Sequence, residues 1–239
     1  EAFGTEDFDD LYLKYEADKT IPKKTVAAQD LFGDLLKERA ETGRIYIMNL
    51  DHCNSHSSFK DKVSMSNLCQ EITLPTTPIQ DIHDDQGEIA LCILSAVNVG
   101  GLNDLGELEN ICDLAVRALE QIIDYQDYPV KAAEVSTKKR RSLGIGYIGL
   151  AHYLAKHGVK YSDPKAWDLV DRLSEAFQYH LLKASNNIAK EKGKCEAFDR
   201  TKYADGLLPI DHYKKDVDKI VPHKQRMAWE SLRKDIAKH

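Results

Sequence analysis

Apolar residues in this chain recur at helical spacing in several long runs and alternate or cluster in a few short ones. Asp9 to Ala17 reads as a short helix, cut off before Pro22. From Ala27 to Glu41 the apolar positions Ala28, Leu31, Leu35, Leu36 and Ala40 keep the spacing of one helix face, and Gly43 is placed to end the run. Arg44 to Leu50 then alternates Ile45, Ile47 and Asn49 against Tyr46, Met48 and Leu50, the period of a strand. Helix followed by strand across a short glycine joint is an α/β signature. Asp51 to Met65 is polar and irregular, which predicts a loop. Glu88 to Val99 is nearly continuous apolar sequence, as expected of a strand covered on both sides.

The second half of the chain is mostly helical in pattern. Asn103 or Asp104 is placed to cap a helix running to about Tyr125, with Leu108, Ile111, Cys112, Ala115, Leu119 and Ile122 on one stripe. Ala151 to His157 reads as helix ended by Gly158. Ser162 or Asp163 caps a long helix with Pro164 in its first turn, where a missing N–H is tolerated. Its stripe runs through Leu169, Val170, Leu173, Ala176, Phe177, His180, Leu181, Ala184 and Ile188 until Gly193, which makes His180 a hydrogen-bonded core histidine. Thr201 to His239 reads as short helices around Pro209 and Pro222. There is no internal repeat or low-complexity segment.

Charge and cysteine usage narrow the classes. A net charge of -6 over 239 residues, with signs mixed, offers no polybasic surface for nucleic acid or an anionic membrane. No run approaches the roughly 18 apolar residues of a membrane span, no signal peptide opens the chain, and the cytoplasm is the expected compartment. Five cysteines, at 53, 69, 92, 112 and 195, form no tight framework and read as reduced thiols. Cys112 falls on a packing stripe, and Cys195 lies in a polar segment. His52, Cys53 and His56 lack the second ligand pair of a structural zinc site. Lys138-Lys139-Arg140-Arg141 reads as solvated surface. The first residue, Glu1, is not methionine, and a piece of something longer is expected.

The densest chemistry lies in Ser66-Asn67-Leu68-Cys69-Gln70-Glu71-Ile72-Thr73-Leu74-Pro75-Thr76. On an extended backbone Asn67, Cys69 and Glu71 share one side, so an amide, a thiol and a carboxylate face the same space. Taken bare, the triplet reads first as a small buried cysteine beside a surface acid, and only the longer string changes that. The longer string, followed by Gly87-Glu88-Ile89-Ala90-Leu91-Cys92 and Leu94-Ser95-Ala96, closely resembles the active-site region of the large, catalytic alpha subunit of class I (Ia-type) ribonucleoside-diphosphate reductase. Thr42-Gly43-Arg44-Ile45-Tyr46-Ile47, Asp51-His52-Cys53-Asn54, Asp124-Tyr125-Gln126-Asp127-Tyr128-Pro129, Leu143-Gly144-Ile145-Gly146 and Tyr153-Leu154-Ala155-Lys156-His157-Gly158 extend the resemblance over nearly the whole chain.

The resemblance implies part of a ten-stranded α/β barrel with a central finger loop and surrounding helices. Residues 1–239 would be a fragment of one catalytic domain: a helical lead-in over 1–43, barrel strands and finger loop over 44–101, helices and further barrel elements over 102–239. It implies Cys69 as the thiyl radical that takes the ribose 3'-hydrogen, Glu71 as general base and Asn67 as the amide holding the sugar hydroxyls, with Asn67, Leu68, Cys69 and Glu71 contacting a nucleoside diphosphate. Cys92 would be redox-active, its disulfide partner outside this chain. It also implies a diiron-tyrosyl small (beta) subunit as radical source, thioredoxin or glutaredoxin as reductant, a second alpha subunit, and the remaining segments of the large subunit, which bind the nucleotide effectors. No metal or cofactor is expected on this segment itself. Two other readings stand beside this one. Gly144-x-Gly146-x-x-Gly149 matches the fingerprint of an NAD-type dinucleotide-binding oxidoreductase in letters, though no hydrophobic strand precedes it. A non-catalytic helical interaction domain with inert cysteines is the other.

Overall fold

A computed structural model describes residues 7–91, 93–220 and 224–239. The chain divides into two compact units, Glu1–Ser57 with Lys62–Pro75, and Ser58–Asp61 with Thr76–His239.

The first unit contains helices α1 (Asp7–Ala17), α2 (Ala28–Thr42) and α3 (Leu50–His56). Gly43 ends α2 in the left-handed region at φ 65°, its N–H donating to the Arg39 carbonyl. The strand expected over Arg44 to Leu50 is not formed. Residues 44–49 are irregular, because no neighbouring strand among the described residues takes their backbone groups, and alternation alone cannot make a ladder. The loop expected over Asp51 to Met65 begins instead as α3. Asn54 ties that helix to Val63: its Nδ2 donates to the carbonyls of Leu50 and Val63 at 2.9 Å each, and its Oδ1 accepts from the Val63 N–H at 2.8 Å. Val63 is fully buried as a result.

In the second unit, strands β1 (Leu94–Asn98) and β2 (Gly144–Ile148) pair in parallel, Leu94 opposite Gly144 and Asn98 opposite Ile148. Parallel neighbours require a long crossover. Here it consists of α4 (Leu108–Tyr125) and α5 (Lys131–Arg140). Asp104 accepts from the Gly106 N–H at 2.6 Å and starts the short turn leading into α4. The buried stripe of α4 is Leu108, Cys112, Val116, Leu119, Glu120 and Ile123, one position off the predicted line in its second half, and Ile122 is exposed. After β2 come α6 (Leu150–Lys156) and α7 (Pro164–Lys192), the latter capped by Asp163 with Pro164 in its first turn. Val97, Val99, Leu108, Cys112, Tyr153, Leu173 and Phe177 form the central core between strand and helices. A second cluster, Leu208, Trp229, Leu232 and Ile236, seats α8 (Trp229–Lys238).

Several expectations change. The strand predicted from Glu88 to Val99 is confined to Leu94–Asn98 and is covered on one side, since Leu94, Ala96 and Asn98 remain exposed. Glu88 instead makes an isolated antiparallel bridge with Thr77. Of the basic run only Lys138 is solvated surface; the other three turn inward. Arg140 is buried and binds Glu88 and Asp61, Lys139 also binds Glu88, and Arg141 binds Glu120 and Asp124. Helix α5, which sequence periodicity did not reveal, turns these cations inward. His180 is half-buried, but its Nδ1 has no hydrogen-bond partner among the described residues, and burial lowers its pKa.

The three fingerprint glycines serve the strand. Gly144 and Gly146 lie inside β2, and Gly149 caps α6 at φ 80°. A Cβ at Gly149 would fall 2.4 Å from the Asn98 Oδ1 and 3.1 Å from the Gly100 nitrogen, whereas one at Gly146 meets nothing within 4 Å. Gly149→Ala is therefore expected to lower stability by about 1–3 kcal/mol in urea unfolding. Gly146→Ala should change it by less than about 1 kcal/mol.

Three carboxylates, buried Glu88 and Glu175 and half-buried Asp61, contribute to the acid response. Burial raises the proton affinity of Asp61 and Glu88, but hydrogen bonds and charge from Arg140, with Arg200 and Lys139, outweigh it and hold both below the usual carboxylate range. Glu175 is likewise raised by burial but held low by the N–H groups of Arg226, Met227 and the Trp229 indole. A depressed folded-state pKa contributes stability that is complete above the unfolded value, about 4, and lost as pH falls through the folded one. The urea midpoint should fall steadily below about pH 4, and less steeply in Asp61→Asn.

Candidate active site

Residues 66–72 build a closed turn. The Asn67 carbonyl accepts from the Gln70 N–H at 3.2 Å, and Gln70 takes a positive φ of 64° to complete the reversal. Across its mouth, the Ile72 N–H donates to Asn67 Oδ1 at 3.0 Å, with a longer contact of 3.4 Å from the Asn67 N–H to the Ile72 carbonyl. Since a backbone N–H can only donate, the Asn67 amide must present its oxygen there, which leaves its NH2 group pointing elsewhere. Ser66 Oγ donates to the Asn67 carbonyl at 2.9 Å, and buried Pro75 fixes the base.

The extended strip expected over Asn67 to Glu71 is thus broken at Gln70, and the simple alternation of sides does not hold. The turn nonetheless gathers the same groups. Leu68 and Cys69 occupy its tip, Leu68 being 79% exposed, and Cys69 and Glu71 are both exposed. A thiol and a carboxylate two residues apart are so presented on a backbone that the Asn67 side chain holds shut.

Cys92 lies outside the described residues. The other four cysteines are free thiols. Cys112 is fully buried in α4, its Sγ 4.0 Å from the Phe177 carbonyl, and burial pushes its thiol up to about 12. Burial also raises the half-buried Cys195. His52, Cys53 and His56 lie on α3, where the His56 Nδ1 meets the His52 carbonyl at 2.9 Å. Among the described residues no group of three or more His, Cys, Asp or Glu is arranged to hold a metal. No helix there is long and apolar enough to cross a membrane.

Sequence reasoning passed over the structural half of Asn67's work, for which Asn two residues before an exposed tip is a usable turn signal. It also passed over the anchoring charges Asp61, Glu88 and Arg140, whose partners are distant in sequence. Glu175 carried a visible sign: an acid set among Leu173, Ala176 and Phe177.

A sequence model described as ribonucleotide reductase, barrel domain, matches residues 1–239. The chain belongs to that family, and its parallel strands with a helical crossover are part of an α/β barrel whose described sheet is open. More particularly, it is similar to alpha subunits of ribonucleoside-diphosphate reductase. It is 58% identical over 232 residues to that of Haemophilus influenzae, covering 96% of this chain and 31% of the relative. Identity is 54% over 237 residues to the Escherichia coli subunit 1 alpha, covering 98% and 31%, and 41% over 234 residues to that of enterobacteria phage T4, covering 96% and 30%. The chain thus spans a little under a third of the length of these relatives.

The closed turn makes a local claim. Asn67→Ala should speed hydrogen exchange at the Ile72 amide by about fivefold or more, the loss of one hydrogen bond, while Asn67→Asp, which keeps the acceptor, should leave it near wild type.

Proposed function

We propose that this chain is a segment of the catalytic barrel of ribonucleoside-diphosphate reductase, and that its Asn67–Glu71 turn carries the reduction of ribonucleoside diphosphates to 2'-deoxyribonucleoside diphosphates for DNA synthesis. The observation that carries the reading is the turn itself, with the thiol exposed at its tip, the carboxylate exposed two residues on and the amide closing it. Membership of the barrel-domain family supports the substrate class.

In this reading Cys69, as a thiyl radical, takes the 3'-hydrogen of the ribose. A thiol suits the step because its S–H bond is similar in strength to the C–H bond broken, so the hydrogen can be returned. Glu71 accepts the 3'-hydroxyl proton, a task that needs hydrogen-bond reach and a carboxylate free to move toward the sugar. The Asn67 NH2, left over after its oxygen has bound Ile72, donates to the sugar hydroxyls, and Leu68 packs beside them. The 2'-hydroxyl leaves as water. Cys92 and a partner thiol elsewhere in the subunit supply the two electrons and the protons, and end as a disulfide.

The same reading extends to the rest of the assembly. Residues 1–43 form a helical lead-in, 44–101 carry the loop within a ten-stranded barrel, and 102–239 supply helices and further barrel elements. A diiron-tyrosyl small subunit provides the radical, thioredoxin or glutaredoxin restores the thiols, and nucleotide effectors bind other segments of a subunit that pairs with a second alpha subunit in the cytoplasm. The dinucleotide reading has little support, because Gly144 and Gly146 lie within β2 rather than in a strand-to-helix turn.

In the complete subunit assembled with its radical-generating partner, Cys69→Ser and Cys69→Ala should lower turnover by at least about a thousandfold, as expected for a group that acts covalently. Glu71→Gln should lower it by about a hundredfold or more. The 239-residue chain by itself should show no turnover. Turnover retained in the Cys69 variants would refute the assignment.

A further inference from the structure

The chain leaves the second unit after Asp61 and returns to it at Thr76, and the segment between those points carries Asn67, Cys69 and Glu71. Both crossing points lead to one guanidinium. On the outgoing side, Arg140 Nη1 donates to Asp61 Oδ2 at 2.7 Å, and Asp61 Oδ1 accepts from Arg200 Nε and Nη2 at 2.9 and 2.7 Å. On the returning side, Thr77 and Glu88 exchange backbone hydrogen bonds of 3.0 Å in both directions, and Arg140 Nε donates to Glu88 Oε2 at 2.5 Å. Lys139 adds a bond of 3.0 Å to the other Glu88 oxygen.

The surroundings make this a built junction. The side chains of Arg140 and Glu88 are only 3% and 4% exposed, so the fork works where water competes little. Phe59, just before Asp61, lies under the Arg140 guanidinium, 5.4 Å from ring centroid to Cζ. Residues 58–60 are pinned again by backbone bonds to Arg200 and Lys202, and Phe59 pairs across to Thr201. Only arginine offers a planar fork that can serve two carboxylates from different directions; lysine would bring the same charge to a point.

We propose that Arg140, bridging Asp61 and Glu88, is a positioning residue that pins the two points where the chain enters and leaves the segment carrying Asn67, Cys69 and Glu71, and so restrains that segment during the reaction. Tethering both ends of a segment to one rigid point removes configurations in which those ends drift apart. Reacting groups are sensitive to displacement on the order of 1 Å. The catalytic consequence rests on the proposed role of the loop; the pinning does not.

Two readouts test it, in the complete subunit with its partner. Arg140→Ala leaves buried Glu88 and half-buried Asp61 without their shared cation and can fail to fold, so Arg140→Lys and Asp61→Asn decide. Both should speed amide exchange at Gln70 and Ile72 by about fivefold or more, with α7 within about twofold of wild type. Both should lower kcat by about tenfold or more with KM changed by less than about twofold. Lys138→Gln, which removes the exposed bond to Glu134 and the contact over the Tyr128 ring, should do neither. Unchanged exchange at Gln70 and Ile72, an equal rise throughout α7, or faster loop exchange with unchanged kcat would each overturn the proposal. Should Cys69→Ala keep its turnover, the reading of the loop fails instead, and the exchange measurement still decides the pinning.

Discussion

Two parallel strands cannot lie side by side unless the chain between them travels back the full length of the sheet, and that return must bury its own apolar face. In this protein the return is α4, and it is held by α7: Leu108, Cys112 and Val116 meet Leu173, Phe177, Ala184 and Ile188. The ladder it serves is short, Leu94–Asn98 against Gly144–Ile148. Arg117, bidentate to Glu191, and Lys183, bonded to Glu109, fasten the same two helices at their rims. Such exposed pairs add little energy individually, and the apolar stripe carries the association.

The proposed chemistry follows the usual division of labour between scaffold and loop: the thiol of Cys69 and the carboxylate of Glu71 are carried on an exposed turn. The Asn67 amide shows how economical this is: one side chain closes the turn with its oxygen and keeps its NH2 group available. Glu175 does a comparable structural task elsewhere, gathering four hydrogen bonds from residues 226–229 and fixing the start of α8.

Much of this was legible in the residue pattern. Helix α7 could be read from Asp163, Pro164, its stripe and Gly193, because local capping and a period of 3.6 residues need no knowledge of distant partners. The composition of the reactive turn was equally plain, but its shape was not: Gln70 takes a left-handed conformation with no glycine to announce it. Strands fared worst. Residues 44–49 have the alternation of a strand and no neighbour among the described residues, while Glu88 forms a bridge that its apolar surroundings did not suggest. The basic run misled for a related reason, since whether Lys139 and Arg140 face water or acids is decided by residues 50 or more positions away.

The depth of Cys112 sorts the sulfurs of this protein by accessibility. A thiol sealed in a helix interface, with its ionisation pushed far above neutrality, is a poor target for electrophiles and oxidants. Among the described cysteines, damage arriving from solvent therefore meets exposed Cys69 well before it reaches Cys112, and a brief, limited alkylation would mark the turn while that helix interface stayed intact.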